Sequence, residues 1–334
     1  LDIGVDLGTT RTVVARADRG NYPVLTFNDT AGDPQEYLPS LTALTPQGLV
    51  HGFAARAAAR QGAPLLRSLK RALAAPSVSA SSTVTLGDRT LSIGEVLVSF
   101  LTDLRQRLAM SGVLDGADPG NEDANVVVAV PAHAYGAQRL LTLDAFRAAG
   151  FHVTAMLNEP SAAGFEYTHR KASTVSSRRT RVLVYDLGGG TFDTSLVDVN
   201  GAAHEVLASR GLGDLGGDDV DLILAQLALA RASVDEAVLN ATQLGDLLDQ
   251  CRGVKEALAP QSRRMVIPVL DNDVVLPVAD LYEATAPLIQ RSVDMMAPLV
   301  GRLEDGGPDL TDIAGIYLVG GASGLPLVPR MLRE

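Results

Sequence analysis

Short apolar runs that close on glycine recur along the chain and outline its architecture. Residues 3–6, 12–17 and 24–27 open it with strand-like spacing. Residues 54–75 read as helix, broken by Gly and Pro at 62–64, and 93–110 as a longer helix. A loop rich in Gly, Asp and Asn at 112–125 leads into the apolar run 126–130, suited to a central strand and ended by Pro131. A helix over 133–149, a strand over 153–156 and a helix begun at Asn158-Glu159-Pro160 follow. The polar, aperiodic stretch 171–181 reads as the link between halves.

The second half repeats this opening, with strands predicted over 182–186, 194–199 and 203–208 around a glycine turn and Gly201-Ala202. Leu244, Leu247, Leu248, Cys251, Val254 and Leu258 recur at helical spacing and give one apolar face. Residues 265–270 and 274–278 predict a hairpin turning at 271–273. A long helix is expected over 281–303, beginning near Asp280 and kinked or divided by Pro287 and Pro298. A last strand ends in Gly320-Gly321, ahead of a helix start at Pro326.

At 334 residues the chain favours two domains. No run approaches the roughly 18 to 20 apolar residues of a membrane span, so no membrane partner is expected. The net charge of −11 argues against a nucleic-acid-binding surface. The chain opens directly on a strand pattern without a basic and apolar export segment, and Cys251 is its only cysteine; both fit a reducing, cytoplasmic compartment. Helical spacing makes Cys251 a core residue, and the five histidines lack zinc-ligand spacing.

Candidate chemistry gathers at two segments that each follow a strand, Asp6-Leu7-Gly8-Thr9-Thr10 and Asp186-Leu187-Gly188-Gly189-Gly190-Thr191-Phe192-Asp193. Their glycines allow close approach of a ligand, and backbone N–H groups with the hydroxyls of Thr9, Thr10 and Thr191 suit phosphate oxygens. Asp6 and Asp186 suit the water shell of Mg²⁺, and Asp193 suits the attacking water or the outer shell of the ion. Gly320-Gly321 is a third glycine turn, and the lack of GxxxxGK[ST] disfavours a P-loop enzyme. By spacing alone Lys70 reads as a solvated helix residue, and Glu159 as either a helix-start acid or a catalytic group. Brought in from different lobes, the two would supply the positive charge and oriented water that phosphate hydrolysis needs.

Beyond these readings, the chain resembles the nucleotide-binding domain of the seventy-kilodalton heat-shock chaperones, members of the actin and sugar-kinase ATPase superfamily. The resemblance spans nearly the whole chain. It is carried by Gly4 to Thr10, Tyr185 to Asp193, Val128-Ala129-Val130-Pro131-Ala132, Asn158-Glu159-Pro160-Ser161-Ala162-Ala163, Leu215-Gly216-Gly217-Asp218-Asp219-Val220-Asp221 and Leu318-Val319-Gly320-Gly321. It implies an α/β fold of two actin-like lobes with duplicated, ribonuclease-H-like sheets and two inserted outer subdomains around a nucleotide cleft that Asp6 and Asp186 both face. Lobe I would cover 1–175, with core 1–37 and 112–175 and insertion 38–111. Lobe II would cover 176–334, with core 176–215 and 290–334 and insertion 216–289.

The resemblance also implies ATP and ADP as ligands, Mg²⁺ as cofactor, and slow ATP hydrolysis that drives closure of the lobes. Lys70 matches the catalytic lysine, Glu159 the glutamate of hydrolysis and coupling, Asp6, Asp186 and Asp193 the carboxylates around ion and water, and Thr191 a γ-phosphate contact. Gly8, Gly188, Gly189, Gly190, Gly216, Gly217, Gly320 and Gly321 match nucleotide-binding turns, Pro131 a conformational switch and Arg139 its relay. Lys255 is retained near the ribose, but Arg252, Glu256, Ala259 and Gly324 replace the other residues of the family's adenosine grip, with Arg252 expected to pair with Glu256. A co-chaperone or exchange factor and a peptide-binding domain beyond the chain's end are implied partners, with a monomer expected for this length. The alternative is a nucleotide-responsive binding module with weak turnover; a sugar kinase is disfavoured by the heat-shock strings.

Overall fold

The computed structural model describes every residue except 68, 74, 76, 111, 113, 115, 133 and 307, so the expected helix start at 133 lies outside the described residues. The chain divides into two compact units, Leu1–Glu159 and Pro160–Glu334. The division falls ahead of the polar stretch from which a lobe boundary was drawn.

The first unit begins with strands β1 (Asp2–Leu7), β2 (Arg11–Arg16), β3 (Phe27–Asn28), β4 (Pro34–Gln35), β5 (Leu38–Pro39), β6 (Thr42–Thr45) and β7 (Gly48–His51). Helix α1 (Gly52–Arg60), strand β8 (Leu65–Leu66), helix α2 (Leu69–Leu73), hairpin β9 (Thr83–Leu86) and β10 (Arg89–Ser92), and helix α3 (Ile93–Met110) follow. The unit closes with β11 (Asn125–Val130), α4 (Gly136–Ala148) and β12 (Val153–Asn158). Its main sheet runs β12-β11-β1-β2-β5, with β1 parallel to β11 and antiparallel to β2. Alternation in β1 is strict: Ile3, Val5 and Leu7 are buried, whereas Asp2, Gly4 and Asp6 are exposed on the other face. A reciprocal pair of bonds between Ser92 and Glu95 fixes the start of α3, and the helix buries Val96, Leu97, Phe100, Leu101, Leu104 and Leu108.

The second unit holds most of α5 (Glu159–Lys171), then β13 (Arg181–Leu187), β14 (Phe192–Asn200), β15 (Ala203–Leu212), α6 (Gly217–Ala232), α7 (Ala241–Glu256), β16 (Arg264–Val269), β17 (Asn272–Pro277) and α8 (Val278–Met296). Strands β18 (Gly301–Arg302), β19 (Pro308–Asp309), β20 (Ile313–Val319) and helix α9 (Leu327–Met331) complete it. Its sheet runs β15-β14-β13-β20, with β13 antiparallel to β14 and parallel to β20. A long strand with one antiparallel and one parallel neighbour thus stands at the centre of each unit. Cys251 is fully buried in the second core, as its spacing predicts.

Several boundaries differ from those read in the pattern. The helix expected over 54–75 is two helices, because Gly62 turns at φ 90° and Leu65-Leu66 then pair with Thr42-Ala43. Of residues 24–27 only Phe27 joins a strand, while Val24 makes a single bridge to Ala15. The hairpin expected to turn at 271–273 turns at Leu270-Asp271, where Leu270 adopts φ 53°. Helix α8 runs through Pro287 and stops at Met296, and Pro298 lies in a 3₁₀ turn, Ala297–Leu299, that ends the segment.

Candidate functional site

Both candidate glycine segments are tight hairpin connections. In the first unit Asp6 lies opposite Val13 and Leu7 opposite Thr12, leaving 8–10 as the loop ahead of β2. A methyl group on Gly8 would overlap the Arg11 carbonyl oxygen, so the loop closes only around glycine. Thr9 is buried and Thr10 half-buried. The loop is tethered from outside: Ser40 N–H donates to the Thr10 carbonyl at 3.0 Å, and the Thr12 and Ser40 hydroxyls are 2.9 Å apart.

In the second unit Asp186 lies opposite Asp193 and Leu187 opposite Phe192, leaving 188–191 as the loop. Two further glycine turns are seated on it. Gly217 N–H donates to the Gly188 carbonyl at 2.9 Å, and Asp218 N–H to the Gly189 carbonyl at 2.6 Å. A methyl group on Gly216 would lie 2.5 Å from the Gly189 oxygen, and one on Gly320 would overlap Asp186 Oδ1. Gly320, at φ 82°, lets the end of β20 turn away, and Ser323 Oγ accepts from Leu187 N–H at 3.2 Å. The Asp219 carboxylate accepts from Gly216 N–H at 2.7 Å and fixes the start of α6. Gly188, Gly189, Gly190, Gly216, Gly217 and Gly320 therefore meet in one place, beside Asp186, Thr191 and Asp193, with Gly321 opening the turn after Gly320.

Asp186 and Asp193 face each other across the hairpin as a pair of oxygen donors, a set that a divalent cation fits. Among the described residues no group of three or more His, Cys, Asp or Glu forms a closed metal cage. An ion that keeps most of its water, as Mg²⁺ does, suits such a sparse donor set.

Lys70 and Glu159 are brought together, Nζ to Oε1 at 2.7 Å, with side chains only 16% and 15% exposed. Here the expectation of different lobes is corrected. Lys70 stands on α2 and Glu159 at the first turn of α5, and both belong to the first unit. Next to Glu159, Asn158 Oδ1 accepts from Arg139 Nη2 at 2.7 Å. The same nitrogen donates to the carbonyls of Pro131 at 3.2 Å and Ala132 at 3.3 Å. Pro131, Arg139 and the start of α5 thus form one hydrogen-bonded chain.

Lys255 is buried, with Nζ 2.7 Å from the Gly217 carbonyl and 2.6 Å from Asp221 Oδ1. Arg252, expected to reach Glu256, turns across to α6, donating to Asp218 at 3.0 Å and Asp221 at 3.3 Å. Two partly shielded carboxylates on the facing helix are a better match for a guanidinium than one on its own solvent-exposed turn. Burial disfavours the charge on Arg252, but Asp218 and Asp221 outweigh it and raise its pKa. Burial also pushes the Asp221 carboxyl up, and Lys255 and Arg252 pull it back. Sequence reasoning missed Asp218 and Asp221 as the partners; their i, i+3 spacing on α6 was the available signal.

Residues 2–334 match the family model described as Hsp70 protein. The chain is 34% identical over 352 aligned positions to a protein named chaperone protein HscA homolog from Burkholderia thailandensis, covering 98% of this chain and 53% of that protein. A protein of the same name from Burkholderia pseudomallei strain 668 is 35% identical with the same coverage. The chain spans about half the length of these curated relatives. With its hairpins, glycine turns and mixed sheets on an actin-like α/β plan, the chain belongs to the Hsp70 family, as that family's nucleotide-binding domain.

Proposed function

We propose that the chain binds ATP and hydrolyses it slowly to ADP and phosphate with Mg²⁺, as the nucleotide-binding part of a chaperone. The observation that carries this reading is the convergence of three glycine turns on the Asp186–Asp193 pair. Turns without side chains there let phosphate oxygens approach the backbone closely. Asp186 and Asp193 would hold the ion largely through water, and the ion when bound would neutralise charge on the phosphates. Lys70 stabilises negative charge as the phosphoryl group leaves, and Glu159 holds the lysine in place and accepts a proton from water. Pro131 and Arg139 couple this pair to the surface through Asn158.

Lys255 contributes to nucleotide binding indirectly. Its ammonium is committed to Asp221 and Gly217 and fastens α7 to the start of α6, which is seated on the glycine loop. With Glu256 and Gly324 where the resembling family carries arginines, the base is held weakly. ATP affinity about one to two orders of magnitude below that of a clasped adenosine follows, with little preference for adenine over guanine.

Single-turnover phosphate release and calorimetric titration with ATP, ADP and GTP test this. Lys70→Ala is expected to slow release about a hundredfold or more while the protein stays folded. Release at the wild-type rate would refute the role of Lys70. Nucleotide binding without any release in the wild type would instead favour a nucleotide-responsive module.

A further inference from the structure

Residues 37–87 hold no aspartate and no glutamate, and no other stretch of comparable length lacks them. The same stretch carries Arg56, Arg60, Arg67, Lys70 and Arg71, a basic region in a protein of net charge −11. Lys70 pairs with Glu159. Arg56 and Arg60 have no such partner: among the described residues neither side chain forms an ion pair or a hydrogen bond. Both stand on α1, four residues apart and so on one face of the helix. The opposite face buries Phe53 and Ala55 where α1 packs on β6 and β7. Arg56 is half-buried, its guanidinium carbon 5.8 Å from the centre of the Phe53 ring, and Arg60 is exposed. Ala54, Ala57 and Ala59 are half-buried beside them and keep the helix surface low.

The fold gains little from this arrangement. Like charges at i, i+4 repel, and no carboxylate within the stretch relieves them. The helix dipole favours Arg60 in the last turn, but Arg56 lies a turn earlier, where that effect has faded. Arg56 also covers part of the Phe53 ring, a task that the stem of a glutamine performs nearly as well.

We propose that the exposed face of α1 is a docking surface for an acidic segment of a partner polypeptide, gripped by Arg56 and Arg60. Two planar guanidinium groups one helical turn apart match carboxylates at i, i+4 on a helix or at i, i+2 on a strand. Each pair can bond in bidentate fashion. The short alanine side chains beside them admit the partner's backbone. A short acidic segment fits better than a nucleic acid, because a long polyanion would also meet the acidic remainder of the chain. A second copy of this chain fits less well, since two bodies of the same strong negative charge repel each other. The surface uses no residue of the proposed nucleotide site.

The test is fluorescence anisotropy of a labelled peptide of alternating glutamate and alanine. It is titrated with wild type, Arg60→Gln, Arg56→Gln/Arg60→Gln, Arg56→Lys/Arg60→Lys and, as a control of equal charge change, Arg302→Gln on the second unit. The wild type is expected to bind at low salt and to weaken as salt is added. The double glutamine variant should bind about five- to tenfold more weakly, Arg60→Gln about threefold, the double lysine variant in between, and Arg302→Gln like wild type. No binding by the wild type, or a double glutamine variant within twofold of it, would overturn the proposal. A loss with Arg302→Gln as large as that of the double variant would do the same, by showing unspecific attraction. Single-stranded DNA of the same length that binds more tightly than the peptide, with the same arginine dependence, would assign the face to nucleic acid instead. A sedimenting mass that rises with concentration in the wild type alone would assign it to a second copy; either result overturns the acidic partner. Thermal melts no lower than wild type exclude a loss by unfolding, and Arg60→Gln carries the test should the double variant not fold.

Discussion

The hairpin turns after Asp6 and Asp186 share a strand register and differ in nearly everything else. The first is walled by side chains, Thr9, Thr10 and Arg11, and is tethered by Ser40. The second is three glycines and Thr191, roofed by two more glycine turns. Opposite the first aspartate stands Val13; opposite the second stands another carboxylate, Asp193. One backbone device has been divided between two chemistries. The first hairpin carries hydroxyls beside one aspartate, and the second carries a glycine turn beside two facing carboxylates. A duplicated fold can specialise its halves by changing side chains alone, provided the close turns remain glycine where no other residue fits.

That proviso gives the strongest way to break the comparison. Gly8 has no room for a methyl group against the Arg11 oxygen, whereas a methyl group on Gly188 would sit 3.4 Å from the Thr191 oxygen, an ordinary contact. Gly8→Ala is expected to destabilise the first unit by roughly 2–4 kcal/mol, and Gly188→Ala by under about 1 kcal/mol. Urea unfolding of the two variants decides it, and equal losses would show that the hairpins are interchangeable.

A second difference lies in how the units respond to acid. His51, buried in the first unit, has Nδ1 2.9 Å from Thr42 Oγ1 and Nε2 2.8 Å from Ser99 Oγ. Burial pulls its pKa down to about 4, below the unfolded value of 6.5. The native histidine therefore stays neutral while the unfolded one takes up a proton. Its contribution to stability is intact above pH 6.5 and is lost as pH falls from there toward 4, at about 1.4 kcal/mol per pH unit. Thermal melts of wild type and His51→Gln across this window should converge as pH falls. Parallel curves would show that His51 is not the titrating group.

The smallest effect tests the cation. Asp193→Val copies the first hairpin's Val13 into the second and is expected to raise the Mg²⁺ concentration for half-maximal phosphate release about tenfold, close to 1.4 kcal/mol. An unchanged Mg²⁺ midpoint would mean that the paired carboxylates do not serve the ion.

Much of this was legible in residue order because glycine, proline and alternation act locally. Strands β1, β13 and β14, helix α3 and the position of Cys251 follow from spacing. What was not legible depends on which distant element answers a side chain. Leu65-Leu66 scores as helix until β6 offers an edge, and Val24 reads as strand although only one bridge forms. Arg252 has a carboxylate at i+4, so local pairing suggests Glu256, yet Asp218 and Asp221 on the facing helix claim it.

The buried thiol of Cys251 has a practical consequence. Burial, aided by Asp221, pushes it up to about 12, so the native side chain is both hidden and almost wholly protonated. Alkylating reagents meet it only when the second unit opens. As the sole cysteine, it makes the unaltered protein its own clock: the rate of thiol modification counts openings of α7 and its surroundings, molecule by molecule, without an engineered label. Slower modification with ATP present would report how much the ligand steadies the half that holds the glycine turns.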